Sequence, residues 1–212
     1  MKETPKKIRK TIALAAISFV ISLAVAFSGV LNIFELRSFD LLSRNLNPTG
    51  TSDNIVIVAV DQKSFDALSN QKSISWPWPR QVYAPIIEYL SAADAVFVDI
   101  FFTEPSSYGV EDDLLFSKAL REAGNVYFPV FLTDRATELS ETDREFIGRI
   151  ALRGNLHSDL IYKSALTPLD IYETSVKGGG NVMIKPDEDG VYRRIPLVFR
   201  LGDTLIPPRV LL

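Results

Sequence analysis

Residues 11–34 carry no charge and form 24 residues of almost continuous apolar sequence; the pattern becomes periodic only beyond them. At ~1.5 Å per residue a helix of that length reaches about 36 Å, enough to cross a ~30 Å hydrocarbon core with some tilt. From residue 34 onward Leu36, Phe39, Leu42 and Leu46 recur at helical spacing, with Arg37, Asp40 and Arg44 between them. That pattern predicts that the helix continues as an amphipathic stalk, or equally as the first helix packed on a following domain.

Two short apolar runs come next. Ile55-Val56-Ile57-Val58-Ala59-Val60 is mostly β-branched, ends in Asp61 and follows turn-forming sequence at 48–54. Ala95-Val96-Phe97-Val98 continues through Asp99 into Ile100-Phe101-Phe102. Runs this short and apolar predict strands buried on both faces of a parallel sheet, and the roughly 30 residues between them suit one helical crossover. Ligands collect at the carboxyl ends of such strands, so Asp61 and Asp99 mark the expected ligand edge.

Between the runs, residues 62–68 predict a short helix and 81–93 a longer one, buried through Val82, Ile86, Ile87 and Leu90. Trp76-Pro77-Trp78-Pro79-Arg80 holds both tryptophans of the chain. Its prolines fix φ and bar helix, giving a stiff segment that presents large rings. This segment either caps the sheet or lines a pocket with Arg80 as partner for an anion or carboxylate. The roles coincide if Arg80 pairs with Asp61 or Asp99.

Glu111-Asp112-Asp113 opens a helix that ends before Gly124, with Lys118 and Arg121 nearer its end. This charge order complements the helix dipole, so the three acids read as a helix end rather than as metal ligands. Residues 125–132 predict a third strand, in which Pro129 argues for an edge or a bulge. Residues 133–166 are more polar and irregular, with one helix over 140–152 capped by Ser140 and buried through Phe146, Ile147 and Ile150. Gly178-Gly179-Gly180 neither follows a buried strand nor opens a helix, so it is no dinucleotide fingerprint. Asp187-Glu188-Asp189-Gly190 predicts a hairpin turn leading into a strand over 192–200; the rest of a calcium-binding loop is missing there. The predicted fold is α/β: an N-terminal membrane helix, then a mixed, largely parallel sheet with flanking helices and a C-terminal hairpin.

Composition narrows the function. Apolar residues at 47% and charged residues at 23% supply a core. The absence of cysteine removes disulfides, thiol catalysis and cysteine metal sites. The first ten residues hold five bases and one acid, the remainder 18 bases and 25 acids. The acidic excess disfavours a nucleic-acid partner. The basic flank places residues 1–10 in the cytoplasm, 11–34 across the bilayer and 35–212 outside, a single pass through the cytoplasmic membrane. Ala24-Val25-Ala26 also offers a signal-cleavage site, which would release a periplasmic ligand-binding protein, but the apolar run continues past it.

Enzyme chemistry has little support. His157 is the one histidine and no serine lies in a G-x-S-x-G turn, so a Ser-His triad is not indicated. Asp61, Asp99 and Glu104 supply the hard oxygens of a metal-dependent hydrolase. An aspartate nucleophile is usually followed by a second acid two residues on, where Lys63 stands.

Taken together, Asp40, Asp61, Trp76 to Arg80, Asp99, Glu104-Pro105, Asp189-Gly190, Arg193-Arg194 and Pro196-Leu197 resemble, over roughly residues 35–212, the second type of CHASE domain. These are cyclase- and histidine-kinase-associated extracellular sensory modules of bacteria. The WPWPR segment followed by a run ending in Val98-Asp99-Ile100 is the more specific part of the likeness. The resemblance implies an extracytoplasmic sensor without catalytic activity of its own, joined through further membrane helices to a cyclase, kinase or other output. Residues 207–212 stand where a helix is expected to begin, before any returning span or output domain, so the expectation is either a short gene product or a fragment. The ligand-binding candidates are Asp61, Trp76, Trp78, Arg80, Asp99 and Glu104; no catalytic residue, metal ligand or cofactor is expected. The expected partners are the bilayer through residues 11–34, an extracytoplasmic ligand of unspecified kind, and a second copy through the stalk. The acids at the ligand edge are neutralised either internally, by Arg80, Arg193 or Arg194, or by an external cation.

Overall fold

The computed structural model describes residues 5–46, 52–154 and 157–208. Residues 48–51 of the expected turn and 209–212 of the expected final helix lie outside the described residues. The chain divides into two units, Met1–Val58 and Ala59–Leu212.

The first unit carries α1 (Pro5–Phe27) and α2 (Val30–Leu46). Among the described residues, the segment Lys7–Phe27 of α1 is the one helix long and apolar enough to cross a membrane. The charge-free run does not continue as a single helix. Gly29 takes a φ of 73°, in the left-handed region open to glycine, and interrupts the ladder; α2 restarts with the Asn32 N–H donating to the Gly29 carbonyl. The stalk is therefore a separate helix, and residues 30–34 belong to it.

Residues 55–60 correct a second expectation, for they form no strand. Ile55, Val56, Ile57, Val58 and Val60 are 40–87% exposed. A buried central strand needs a ladder on each side, and the centre of the sheet is occupied by the third apolar run instead. β2 (Val126–Thr133) pairs in parallel with β1 (Val96–Phe97) and with β5 (Gly178–Asn181), and antiparallel with β4 (Ser164–Leu166). Val126, Phe128, Val130 and Leu132 are fully buried.

Pro129 thus lies in a central strand rather than at an edge. The carbonyls of Asn125 and Tyr127 accept from Val96 and Val98, and that of Thr133 from Lys163, whereas those of Val126 and Val130 accept from Lys177 and Val182. Odd positions of β2 therefore face β1 and β4, and even positions face β5. Pro129 falls where β1 has ended and β4 has not begun, so its missing N–H leaves no partner unsatisfied.

The glycine triplet forms β5. A Cβ on Gly179 would stand 2.7 Å from the Phe128 carbonyl oxygen and 2.9 Å from the Phe146 ring, so only glycine lets β5 and α6 (Glu141–Ile150) approach this closely. The far edge of β5 is covered by the chain at 207–208, where the Asn181 N–H donates to the Pro207 carbonyl.

α3 (Gln62–Lys72), α4 (Ala84–Tyr89), α5 (Val110–Ala123), α6 and the single turn α7 (Asp170–Glu173) complete the second unit, with β3 (Ile161–Tyr162), β6 (Phe199–Leu201) and β7 (Thr204–Ile206) in a second, mixed sheet. α4 is shorter than the predicted helix over 81–93 because 3-10 turns flank it. The turn at Asp187–Gly190 forms through the Gly190 N–H and the Asp187 carbonyl, but regular strand begins only at β6. The C-terminal hairpin is β6–β7, turning at Gly202-Asp203. Ser140 caps α6 through the Asp143 N–H, and Phe146, Ile147 and Ile150 are buried, as the periodicity predicts.

Candidate functional site

Asp61 is the N-cap of α3. Its carboxylate accepts from the Ser64 N–H and the Ser64 hydroxyl, each at 3.0 Å, and these hydrogen bonds hold its pKa below the ordinary carboxylate value. Phe65, one turn into α3, faces the WPWP segment. Its ring centroid lies 5.3 Å from Trp76 and 5.1 Å from Trp78, and the two indoles are 5.5 Å apart. Trp78 is 3% exposed and Trp76 52%, so one ring is anchored and the other reaches solvent. Beside them lies a cleft of about 240 Å³ lined by Gln62, Phe65, Asp66, Ser69, Ile74, Ser75, Trp76 and Trp78. The Trp78 indole N–H is buried without an acceptor among the described residues. The rings continue inward from Trp78 to Tyr83 at 6.0 Å and from Tyr83 to Phe102 at 5.4 Å.

Arg80 closes the WPWPR segment against α5. Its backbone N–H donates to Asp112 Oδ2 at 2.6 Å and that of Gln81 to Asp112 Oδ1 at 2.8 Å, so one carboxylate caps the turn after Pro79. The guanidinium lies 4.6 Å from the Phe102 ring centroid, its Nε 3.9 Å from Asp113 Oδ1, and its Nη2 donates to the Glu104 carbonyl at 3.4 Å. Asp113 also accepts from the Ser106 N–H and from the Tyr172 hydroxyl. Burial first, and then the hydrogen bond to Asp113, push the Tyr172 hydroxyl well above its ordinary range.

A second group of acids sits on α6 and α7. The ligand oxygens of Asp143, Asp170 and Glu173 lie within 4.8 Å of one another, the one such grouping among the described residues. Burial, reinforced by the charge of Asp143, raises the Glu173 carboxyl to about 8. Burial opposes ionisation of Asp143 as well, but hydrogen bonds from Thr167 and Ser140 outweigh it and hold that carboxyl below its ordinary value.

The family model of the CHASE2 domain matches residues 13–210. This chain belongs to the CHASE2 family. That family consists of extracellular sensory domains rather than catalytic ones. No curated protein and no solved structure matches the chain.

In this CHASE2 domain Trp76, Trp78 and Arg80 come together as one segment, and Glu104 joins them through its backbone carbonyl while its side chain is exposed. Asp61 lies at the start of α3 and not at the end of a sheet strand. Because residues 55–60 form no strand beside β1, the strand pairing that would set Asp61 next to Asp99 does not form. The side chain of Asp99 is exposed. Arg80 takes Asp112 and Asp113 as partners in place of Asp61 or Asp99. Arg193 pairs with Asp187 at 3.1 Å and with Asp189 at 2.7 Å, and its hydrogen bonds hold the Asp189 carboxyl at about 2. His157 is exposed and pairs with Asp159 at 2.9 Å.

Asp112 and Asp113 are the residues that sequence reasoning assigned to the helix end alone. They do occupy the first turn of α5, but they also stand four positions before Phe116 and Ser117, both buried. That spacing puts the two acids on the inward face of the helix, the signal that marks them as partners for a buried cation.

Proposed function

We propose that this chain is the membrane-anchored sensory part of a bacterial signal-transduction receptor, held outside the cytoplasm by α1, and that a small molecule is sensed in the cleft between α3 and the WPWP segment. The observation that carries the reading is the CHASE2 match, which runs from the apolar helix through the α/β unit as one family unit. The cleft is supported as the sensing site by its mixture of aromatic rings with Gln62, Asp66 and Ser69. A volume of about 240 Å³ lies below the ~300–1,000 Å³ of drug-sized ligand pockets, so the occupant is small. The apolar positions Leu36, Phe39, Leu42 and Leu46 of α2 support association of two copies through the stalk.

Carbonate-washed membranes test the anchor. Retention of the full-length chain in the pellet is expected. Release of a shortened chain into the periplasmic fraction would replace this reading with that of a secreted binding protein.

A further inference from the structure

Three carboxyl groups lie within 4.8 Å of one another in a partly buried setting, where they cannot all ionise without a counter-charge. Among the described residues no lysine or arginine forms an ion pair with Asp143, Asp170 or Glu173; Arg149, the nearest base in the hydrogen-bond pattern, donates to the backbone carbonyl of Glu173 and lies over the Phe146 ring at 5.2 Å. Glu173 is the decisive member. Its side chain is 1% exposed, and neither carboxyl oxygen has a hydrogen-bond donor among the described residues. A buried, doubly unpartnered carboxyl group normally costs several kcal/mol, and native structures keep one where something else supplies the missing ligand.

The surroundings favour a cation. Asp143 is half-buried and fixed by Ser140 and Thr167, Glu173 forms the floor, and Asp170 is exposed at the rim, so the group opens to solvent on one side. All the donors are hard oxygens. Three protein carboxyl groups held within 4.8 Å of one another, with water completing the coordination at the exposed side, suit the flexible many-oxygen shell of calcium better than the near-ideal, largely hydrated octahedron that magnesium demands.

We propose that Asp143, Asp170 and Glu173 form a calcium-class divalent-cation site joining α6 to α7. The site is distinct from the aromatic cleft and connects to it through α7. Tyr172, which lies between Asp170 and Glu173 in sequence, donates to Asp113, the carboxylate that faces Arg80 of the WPWPR segment. A cation that fixes α7 therefore also fixes the partner of Arg80.

The test is a calorimetric titration of the full chain in detergent micelles, stripped with EDTA, using calcium chloride and magnesium chloride at constant pH. Saturable calcium binding is expected, in the ~10⁻⁴–10⁻³ M range of extracellular calcium modules, with magnesium at least tenfold weaker. Asp170→Asn, a change at an exposed position, should lower calcium affinity at least tenfold while leaving the circular dichroism spectrum unchanged. Glu173→Gln, which keeps the buried shape and removes the ionisable carboxyl, should do the same. The proposal is overturned if no saturable heat appears, if both variants bind calcium as the wild type does, or if magnesium binds more tightly than calcium.

Discussion

The Arg80 guanidinium and the Asp113 carboxylate face each other at 3.9 Å across 33 positions of sequence, with side chains 14% and 5% exposed. The pair fastens the WPWPR segment to the first turn of α5, and Asp112 finishes the fastening by accepting both the Arg80 and Gln81 N–H groups. Removing one partner of a buried ion pair strands the other. Asp113→Ala should therefore destabilise the domain by ~3–5 kcal/mol, with Asp112→Ala costing ~1–3 kcal/mol through its unsatisfied donors. Urea unfolding of the full chain in detergent measures both.

The two tryptophans should separate cleanly. Trp78→Ala removes a buried ring packed on Phe65 and Tyr83 and should cost ~3–5 kcal/mol. Trp76→Ala removes a half-exposed ring and should cost about 1 kcal/mol. In Trp76→Phe the remaining indole should emit at short wavelength, as a buried ring does; red-shifted emission there would contradict the packing.

Much of the helical framework was legible. Ser140 and the spacing of Phe146, Ile147 and Ile150 defined α6, and Gly124 marked the end of α5. Capping and helical periodicity are local, so sequence reports them directly. Strand pairing is not local. Residues 55–60 have the composition of a central strand, yet the ladders went to β2, whose Pro129 argued against that place. β3, β4 and α7 span two to four residues, too few for any periodicity to register. At the site, Trp76, Trp78 and Arg80 were legible as one stiff segment. The partner of Arg80 was hidden because Asp112 and Asp113 already had an adequate role as helix-end acids.

Glu173 makes stability depend on pH when no divalent cation is bound. Its carboxyl is raised from an ordinary value near 4.5 to about 8, so the folded state holds the proton more tightly than the unfolded one. Its stabilising effect is complete below about pH 4.5 and is lost as pH rises through about 8. In EDTA the melting temperature should fall across that interval, by an amount on the order of a few kcal/mol in stability. Glu173→Gln should flatten the profile. A wild-type profile already flat from pH 5 to 8.5 would contradict the environment assigned to Glu173.

Association through α2 can be probed without background, since the chain contains no cysteine. Leu42→Cys in native membranes should give a disulfide-linked dimer on mild oxidation, and Arg37→Cys, off the apolar positions, much less. Equal crosslinking at both positions would indicate collision rather than a defined stalk interface.

The placement of the sensory unit outside the cytoplasm is tested most directly by reporter fusions following residue 212 in a bacterial host. The account predicts active alkaline phosphatase and dark green fluorescent protein at that point. A fluorescent, phosphatase-inactive fusion would put the α/β unit in the cytoplasm and contradict it.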